Sequence, residues 1–190
     1  MILQRMVFTV ALLLATHTAS AQVPVEKRPV PPLAIDDRGE LQLENEQFSY
    51  APWSTDKLPD KVHILQYIGA TRSDSKLFKP LTDRLQESFE RGQYHVTSII
   101  NLDAALWGTT GFVVSEIKDS KRKHPDSTLV LDEKGTGASQ WQLGDRGAGL
   151  MIVDAQGIVR YFTREAMSEE DVTSSVDLVR QHMDSCLKSC

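Results

Sequence analysis

Val62-His63-Ile64-Leu65-Gln66-Tyr67-Ile68 is the stretch on which the fold turns. β-Branched and aromatic residues crowd it, and the turn residues Leu58-Pro59-Asp60-Lys61 introduce it, so it reads as a strand inside a sheet. A short loop, residues 69–75, follows. Residues 76–91 then place Leu77, Phe78, Leu81, Leu85 and Phe89 at three-to-four spacing, the apolar face of a helix that Gly92 ends. Pro80 falls in its early turns and is expected to kink it, because proline has no amide hydrogen and its ring crowds the preceding turn.

Downstream the pattern continues. A second strand at residues 96–102 leads through a Gly/Thr loop to a helix at residues 112–123, stopped by His124-Pro125. Its basic tail, Lys121-Arg122-Lys123, suits the negative end of the helix dipole and reads as a solvated helix end rather than a partner patch. A third strand at residues 128–132 runs into the turn Glu133-Lys134-Gly135. Strands at residues 150–153 and 158–163 flank Asp154-Ala155-Gln156-Gly157 and form an antiparallel hairpin. The last helix, residues 169–187, has Ser168 as N-cap, Asp171 at the capping-box position, and Val172, Val176, Val179 and Met183 as its buried stripe. Strands joined through helices run parallel and the hairpin adds an antiparallel edge, so the class is α/β. Asp103, Asp132 and Asp154 each close a strand and read as turn residues.

Upstream, residues 22–32 hold Pro24, Pro29, Pro31 and Pro32, half of the chain's eight prolines, which favours an extended arm over a helix. Asp36-Asp37-Arg38-Gly39, with apolar alternation at Leu33, Ile35, Leu41 and Leu43, reads as the turn of a small edge hairpin. Residues 1–21 carry the marks of a cleavable export signal. A lone Arg5 precedes the apolar run of residues 7–15, and small residues close it at Ala19 and Ala21. The run is too short for a membrane span, which needs about 20 apolar residues. The organisation expected is therefore a signal at 1–21, a Pro-rich arm at 22–38 and one domain at 39–190, with residue 22 onward in a bacterial periplasm.

The chain has 21 basic and 26 acidic residues; loss of Arg5 with the signal leaves 20 against 26, a net charge of −6. That argues against nucleic acid as a partner, which calls for clustered positive charge. No other segment is long and apolar enough to span a membrane. Both cysteines, Cys186 and Cys190, sit in the last five residues, where a disulfide would close too short a loop to staple the domain.

The strand and helix order resembles that of thioredoxins, which implies a thioredoxin-like fold: a central mixed sheet with helices on both faces, here preceded by an extended arm and hairpin. Residues 58–70 resemble the strand that leads into the active site of secreted thioredoxin-like proteins. More closely, the chain resembles the YtfJ family of small periplasmic proteins across residues 30–183. The matching features are Val30-Pro31-Pro32, Gly39-Glu40-Leu41, Phe48-Ser49-Tyr50 with Trp53, Ile99-Ile100-Asn101-Leu102-Asp103, Trp107-Gly108-Thr109 and Trp141-Gln142-Leu143. That family implies a fold and a compartment, not an activity. In the thioredoxin register the two thiols of C-x-x-C fall on Arg72 and Ser75, and the buried carboxylate of the preceding strand falls on Gln66. The cis-proline position falls in Gly147-Ala148-Gly149-Leu150, which has no proline. Guanidinium and hydroxyl supply neither a nucleophilic nor a resolving thiol, so ordinary redox catalysis at this loop is excluded.

What remains at that position is a candidate ligand-binding site: Thr71, Arg72, Ser73 and Ser75 at a helix start, with Trp107 and Gly149 beside it. Backbone donors at a helix N-terminus and Arg72 would suit an anion or a peptide carboxylate; the plain alternative is an ordinary capped helix start. Trp107 and Trp141 lie in Gly-rich connections, where tryptophan lines a groove or lids a sheet. His182, Cys186 and Cys190 recur every four residues along one helical face, which allows a soft-metal site, but one ending on the last residue has no rigid surround. The sequence gives no catalytic set and calls for no cofactor. The expectation is a non-catalytic binding or accessory module holding an envelope protein or peptide; a thiol oxidoreductase using Cys186 and Cys190, or a metal carrier using those two with His182, are the alternatives.

Overall fold

Seven strands form one mixed sheet, whose order across the sheet runs from residues 47–54 through 34–44, 128–132, 95–101, 63–69 and 149–153 to 159–163. The structure is a computed structural model that describes residues 21–187 apart from Pro59 and Arg146, with the backbone alone from residue 184 onward. The export-signal segment, residues 1–20, and Cys190 therefore lie outside the described residues, as does the side chain of Cys186.

The strand on which the fold turns is β3, His63–Gly69. It pairs in parallel with β4, His95–Asn101, and β4 pairs in parallel with β5, Thr128–Asp132. On its other side β3 pairs antiparallel with β6, Gly149–Val153, which turns back into β7, Val159–Thr163. Parallel strands need crossovers, and α1 (Lys79–Ser88) and α2 (Thr110–Lys123) supply them. The sequence of alternating faces divides the core in two. Ile64, Ile68, Ile100, Leu129 and Leu131 meet Leu81 and Leu85 of α1, Ile117 of α2, and Val172, Val176 and Val179 of α4 (Glu169–Leu187). Leu65, Tyr67, Ile99, Val130 and Met151 point the other way, onto Leu33, Trp53, Trp141 and Leu143. The second face thus has only one short helix, α3 (Thr136–Gln140), and is closed mainly by the arm and two tryptophans. This is a thioredoxin-like α/β fold.

Several local expectations are revised. Helix α1 starts at Lys79, not residue 76, after a single 3-10 turn at Asp74–Lys76. Pro80 therefore sits in the first turn, where its missing N–H has no partner to lose, and no kink is needed. Asp36-Asp37-Arg38-Gly39 is not a hairpin turn. It is a bulge inside β1 (Ala34–Glu44), where the register against β2 (Gln47–Ser54) shifts between Ile35 and Glu40. Gly39 makes the bulge possible: its φ is +75°, and a Cβ there would lie 2.2 Å from the Ala51 carbonyl oxygen. The reversal comes later, at Asn45 and Glu46, both at positive φ (48° and 64°), a two-residue turn whose twist matches the strands. Position 38/39, drawn as the edge of the arm, falls inside β1. The arm is not helical, as expected, but it is broken by a turn at Glu26 and Lys27, where Lys27 has φ +63° and the Arg28 N–H donates to the Val25 carbonyl at 3.3 Å. It docks on the edge of β7, with Lys27 N–H on Val159 O (2.7 Å) and Val159 N–H on Arg28 O (2.9 Å).

Leu65 is fully buried in the second core. Leu65→Ala is expected to cost about 3 kcal/mol, the transfer of the lost atoms plus a cavity that packed neighbours cannot refill. A denaturant midpoint that does not move would contradict this packing.

Candidate functional site

The loop that follows β3 is closed by its own side chains. The Thr71 hydroxyl donates to Asp74 Oδ2 at 2.6 Å and accepts the Asp74 N–H at 3.2 Å; the Ser75 hydroxyl donates to the Arg72 carbonyl at 3.1 Å. The Ser73 hydroxyl lies 2.9 Å from that of Thr71. Asp74 folds back over Gly69, where a Cβ would meet its Oδ2 at 2.5 Å. The anion reading of this loop loses its basis here. The amides of Ser75, Lys76 and Leu77 donate to the carbonyls of Thr71, Ser73 and Asp74, and α1 begins four residues beyond Ser75 with a carboxylate already in the turn. No backbone donor of residues 74–77 is left for an external anion.

What the structure builds instead is a groove. It has a volume of about 530 Å³ and lies between this loop and the N-terminal half of α2. Ile68, Ile100 and Leu129 form its floor, Thr71, Arg72 and Ser75 one wall, and Phe112, Val113 and Glu116 the other. Gln66, at the position of the thioredoxin carboxylate, donates from Nε2 at 2.6 Å to the hydroxyl of Ser98, itself a lining residue of the groove, and cannot act as an acid. The turn Leu106–Thr109, held by the Thr109 hydroxyl on Leu106 O (2.7 Å), raises apolar side chains at the mouth. Leu106, 70 % exposed, and Phe112, 62 % exposed, both border the groove, and Trp107 beside Leu106 in the chain is 100 % exposed. Among the described residues the groove's lining includes no histidine, cysteine or lysine.

Of the candidate residues, Thr71, Arg72 and Ser75 line the groove, Ser73 braces the loop behind Thr71, and Trp107, next in the chain to the lining residue Leu106, is fully exposed and is not part of the lining. Gly149 does not belong to it. It faces Leu143 and Phe162 on the opposite face of the sheet, where a Cβ would come within 2.9 Å of Leu143. Leu106 and Phe112 were not singled out in the sequence; their only signal was an apolar residue on either side of a Gly/Thr turn.

The alternative sites lie elsewhere. His182 is influenced by Arg160 and Asp154, neighbours of the first residues of β3, whereas the groove opens beyond its last. Seven strand residues separate those ends, about 20 Å. Burial, and then the Arg160 guanidinium, hold His182 below the usual imidazole range, and that cation would also oppose a metal ion there. Among the described residues no group of three or more His, Cys, Asp or Glu side chains is placed to hold a metal. Trp141 is a lid, fully buried, its Nε1–H on the Pro31 carbonyl at 3.2 Å.

A family model described as "Bacterial protein of unknown function (YtfJ_HI0045)" matches residues 25–182. The chain belongs to the YtfJ family. Its relatives include the "Uncharacterized protein YtfJ" of Escherichia coli K12, 31 % identical over 182 residues, covering 95 % of this chain and 98 % of that one. An uncharacterized Haemophilus influenzae protein is 26 % identical over 151 residues, 79 % of this chain and 82 % of its own. Among solved structures, this YtfJ-family chain is similar to a putative protein disulfide isomerase from Bacteroides thetaiotaomicron, with a TM-score of 0.57, 14 % identity, and 88 % and 95 % of the two chains covered. It is also similar to a putative thiol:disulfide interchange protein DsbE from Chlorobium tepidum, with a TM-score of 0.56, 12 % identity, and coverage of 84 % and 99 %. At such identities the likeness shows the fold and no more. No helix among the described residues is long and apolar enough to cross a membrane.

Proposed function

We propose that this chain is a thiol-independent binding module of the bacterial envelope, exported to the periplasm by residues 1–21, that seats an extended apolar segment of another protein in the groove between the 71–75 loop and α2. The observation that carries the reading is the pairing of an apolar floor with two exposed apolar side chains, Leu106 and Phe112, in a groove whose lining among the described residues has no nucleophilic thiol, imidazole or amine. Covering Leu106 and Phe112 contributes roughly 1.5–3 kcal/mol for each side chain, and the floor of the groove must add to it before the cost of association is exceeded. Arg72 on one wall and Glu116 on the other have no ion-pair partner among the described residues, which suits a peptide that presents groups of both signs rather than a lipid tail.

The test is an array of overlapping 13-residue peptides from envelope proteins of the producing cell, with the strongest binders measured by fluorescence anisotropy. Leu106→Ser with Phe112→Ser is expected to weaken them at least tenfold, as lost burial of two such side chains implies. Both residues are exposed, so the fold should not change. Affinities that stay the same in the double variant would overturn the groove as the binding site.

A further inference from the structure

At the opposite end of the sheet a second cavity, about 550 Å³, opens where the first residues of β3 and β4 meet the C-terminal ends of α1 and α2. Its charged lining is one-sided. Lys61 and Arg91 face it against one carboxylate among the described residues, Asp126, with the imidazole rings of His95 and His124 beside them. Phe89 and Tyr94, edge to face with ring centres 6.0 Å apart, give it an aromatic wall. Carbonyls beyond helix C-termini ordinarily repel an anion. Three of them are already occupied here: Lys61 Nζ donates to Gly92 O at 3.0 Å, and Lys121 Nζ to the carbonyls of Pro125 (2.9 Å) and Ser127 (2.7 Å). Arg91 has no ion-pair partner among the described residues, and His95 uses one ring nitrogen on the Thr128 hydroxyl (2.9 Å), leaving the other uncommitted.

We propose that this cavity binds a small oxyanion, a phosphate or carboxylate, carried on an aromatic body that packs against Phe89 and Tyr94. Arg91 presents a planar fork of donors to the anion, and His124 and His95 add imidazole donors. The cavity's field supports the assignment. Burial, then the Lys61 and Lys121 ammonium groups, hold His95 below the usual imidazole range, opposed only by Asp126, while the His63 ring lies 4.9 Å away on the neighbouring strand. A bound oxyanion cancels that cationic field, so ligand and proton bind His95's surroundings together. This site is independent of the peptide groove and stands or falls without it.

The experiment titrates the purified chain with inorganic phosphate, phenyl phosphate and benzoate, following the His95 ring proton by NMR across pH, with sodium chloride at matched ionic strength as the control. Saturating phenyl phosphate is expected to raise the His95 titration midpoint by about one unit, one opposite charge nearby being worth that much or more. The aromatic ligands are expected to outbind inorganic phosphate, and comparison of phenyl phosphate with benzoate tells which oxyanion fits. Arg91→Ala is expected to weaken binding about tenfold, the loss of a charge-assisted hydrogen bond. Lys134→Ala, on an exposed turn at the other end of the sheet, should leave it unchanged. A His95 midpoint that moves no more than in sodium chloride overturns the proposal, and so does binding indifferent to Arg91→Ala.

Discussion

Replacing Asp132 with alanine is expected to cost the domain about 4 kcal/mol or more, against the 5–15 kcal/mol that usually holds a domain of this kind together. The carboxylate is fully buried, and both of its oxygens are used. Oδ2 accepts the Tyr67 hydroxyl at 2.7 Å and the Gly137 N–H at 2.8 Å; Oδ1 accepts the N–H groups of Thr136 (3.0 Å) and Lys134 (3.3 Å). It thereby ties β3 to the start of α3. Burial and the neighbouring carboxylate push the Tyr67 phenol well above its ordinary range, so it stays a donor. Tyr67 packs edge-on against Trp141, and Gly137 approaches so closely that a Cβ would lie 2.3 Å from the Tyr67 ring. Alanine strands a hydroxyl and three amides in the second core. Tyr67→Phe, which removes one bond and leaves the carboxylate its three amide donors, should cost only about 1–2 kcal/mol. Equal denaturant midpoints for Asp132→Ala and Tyr67→Phe would mean that the carboxylate does not organise this face.

Acid should unfold the domain through one histidine. His63 is 1 % exposed, its Nε2 lies 2.8 Å from the Thr97 hydroxyl, and its Nδ1 has no hydrogen-bond partner among the described residues. Burial first, and the adjacent His95 second, push its pKa down to about 3. In the unfolded chain the same imidazole takes a proton below about 6.5. The unfolded state therefore binds more protons between those values, and stability falls as pH falls through that window. The contribution is complete above pH 6.5 and about 4 kcal/mol of it is lost by pH 3, at 1.36 kcal/mol per unit. His95, held low for related reasons, adds loss of the same sign. Chemical denaturation at pH 7, 5 and 4 measures the slope. His63→Gln, which keeps a polar amide and cannot charge, should flatten it; an unchanged slope would assign acid sensitivity to other groups.

The elements that local pattern dictates were legible in the sequence. Residues 62–68 form β3, offset by one residue from expectation, because β-branched alternation records burial on both faces. Ser168 and Asp171 form the reciprocal cap at the start of α4, with the Ser168 hydroxyl on Asp171 at 2.6 Å and the Asp171 N–H on the Ser168 hydroxyl at 3.1 Å. What the sequence hid depends on distant partners. Asp132 looks like a turn residue because its decisive partner, Tyr67, is 65 positions away. Asp36-Asp37-Arg38-Gly39 has turn composition, yet β2 and β5 on either side of β1 turn it into a bulge. The short helix α3 has too few residues for periodicity to show. The groove follows the same rule. Its loop wall was visible as the thioredoxin position, but Phe112, Glu116 and the floor residue Leu129 come from elements 40 to 57 residues further along, and only folding brings them to Arg72.

The central claim is that this thioredoxin fold acts by holding a ligand in its groove, not through its thiols. The measurement that bears on it most directly takes one array-selected peptide and compares its dissociation constant for the native chain and for the Cys186→Ser/Cys190→Ser variant, while amide NMR maps where it binds. The two constants should agree within error, and shifts should concentrate at residues 68–75 and 106–120. Affinity that disappears in the double-serine variant, or shifts gathered along the C-terminal half of α4, would contradict it.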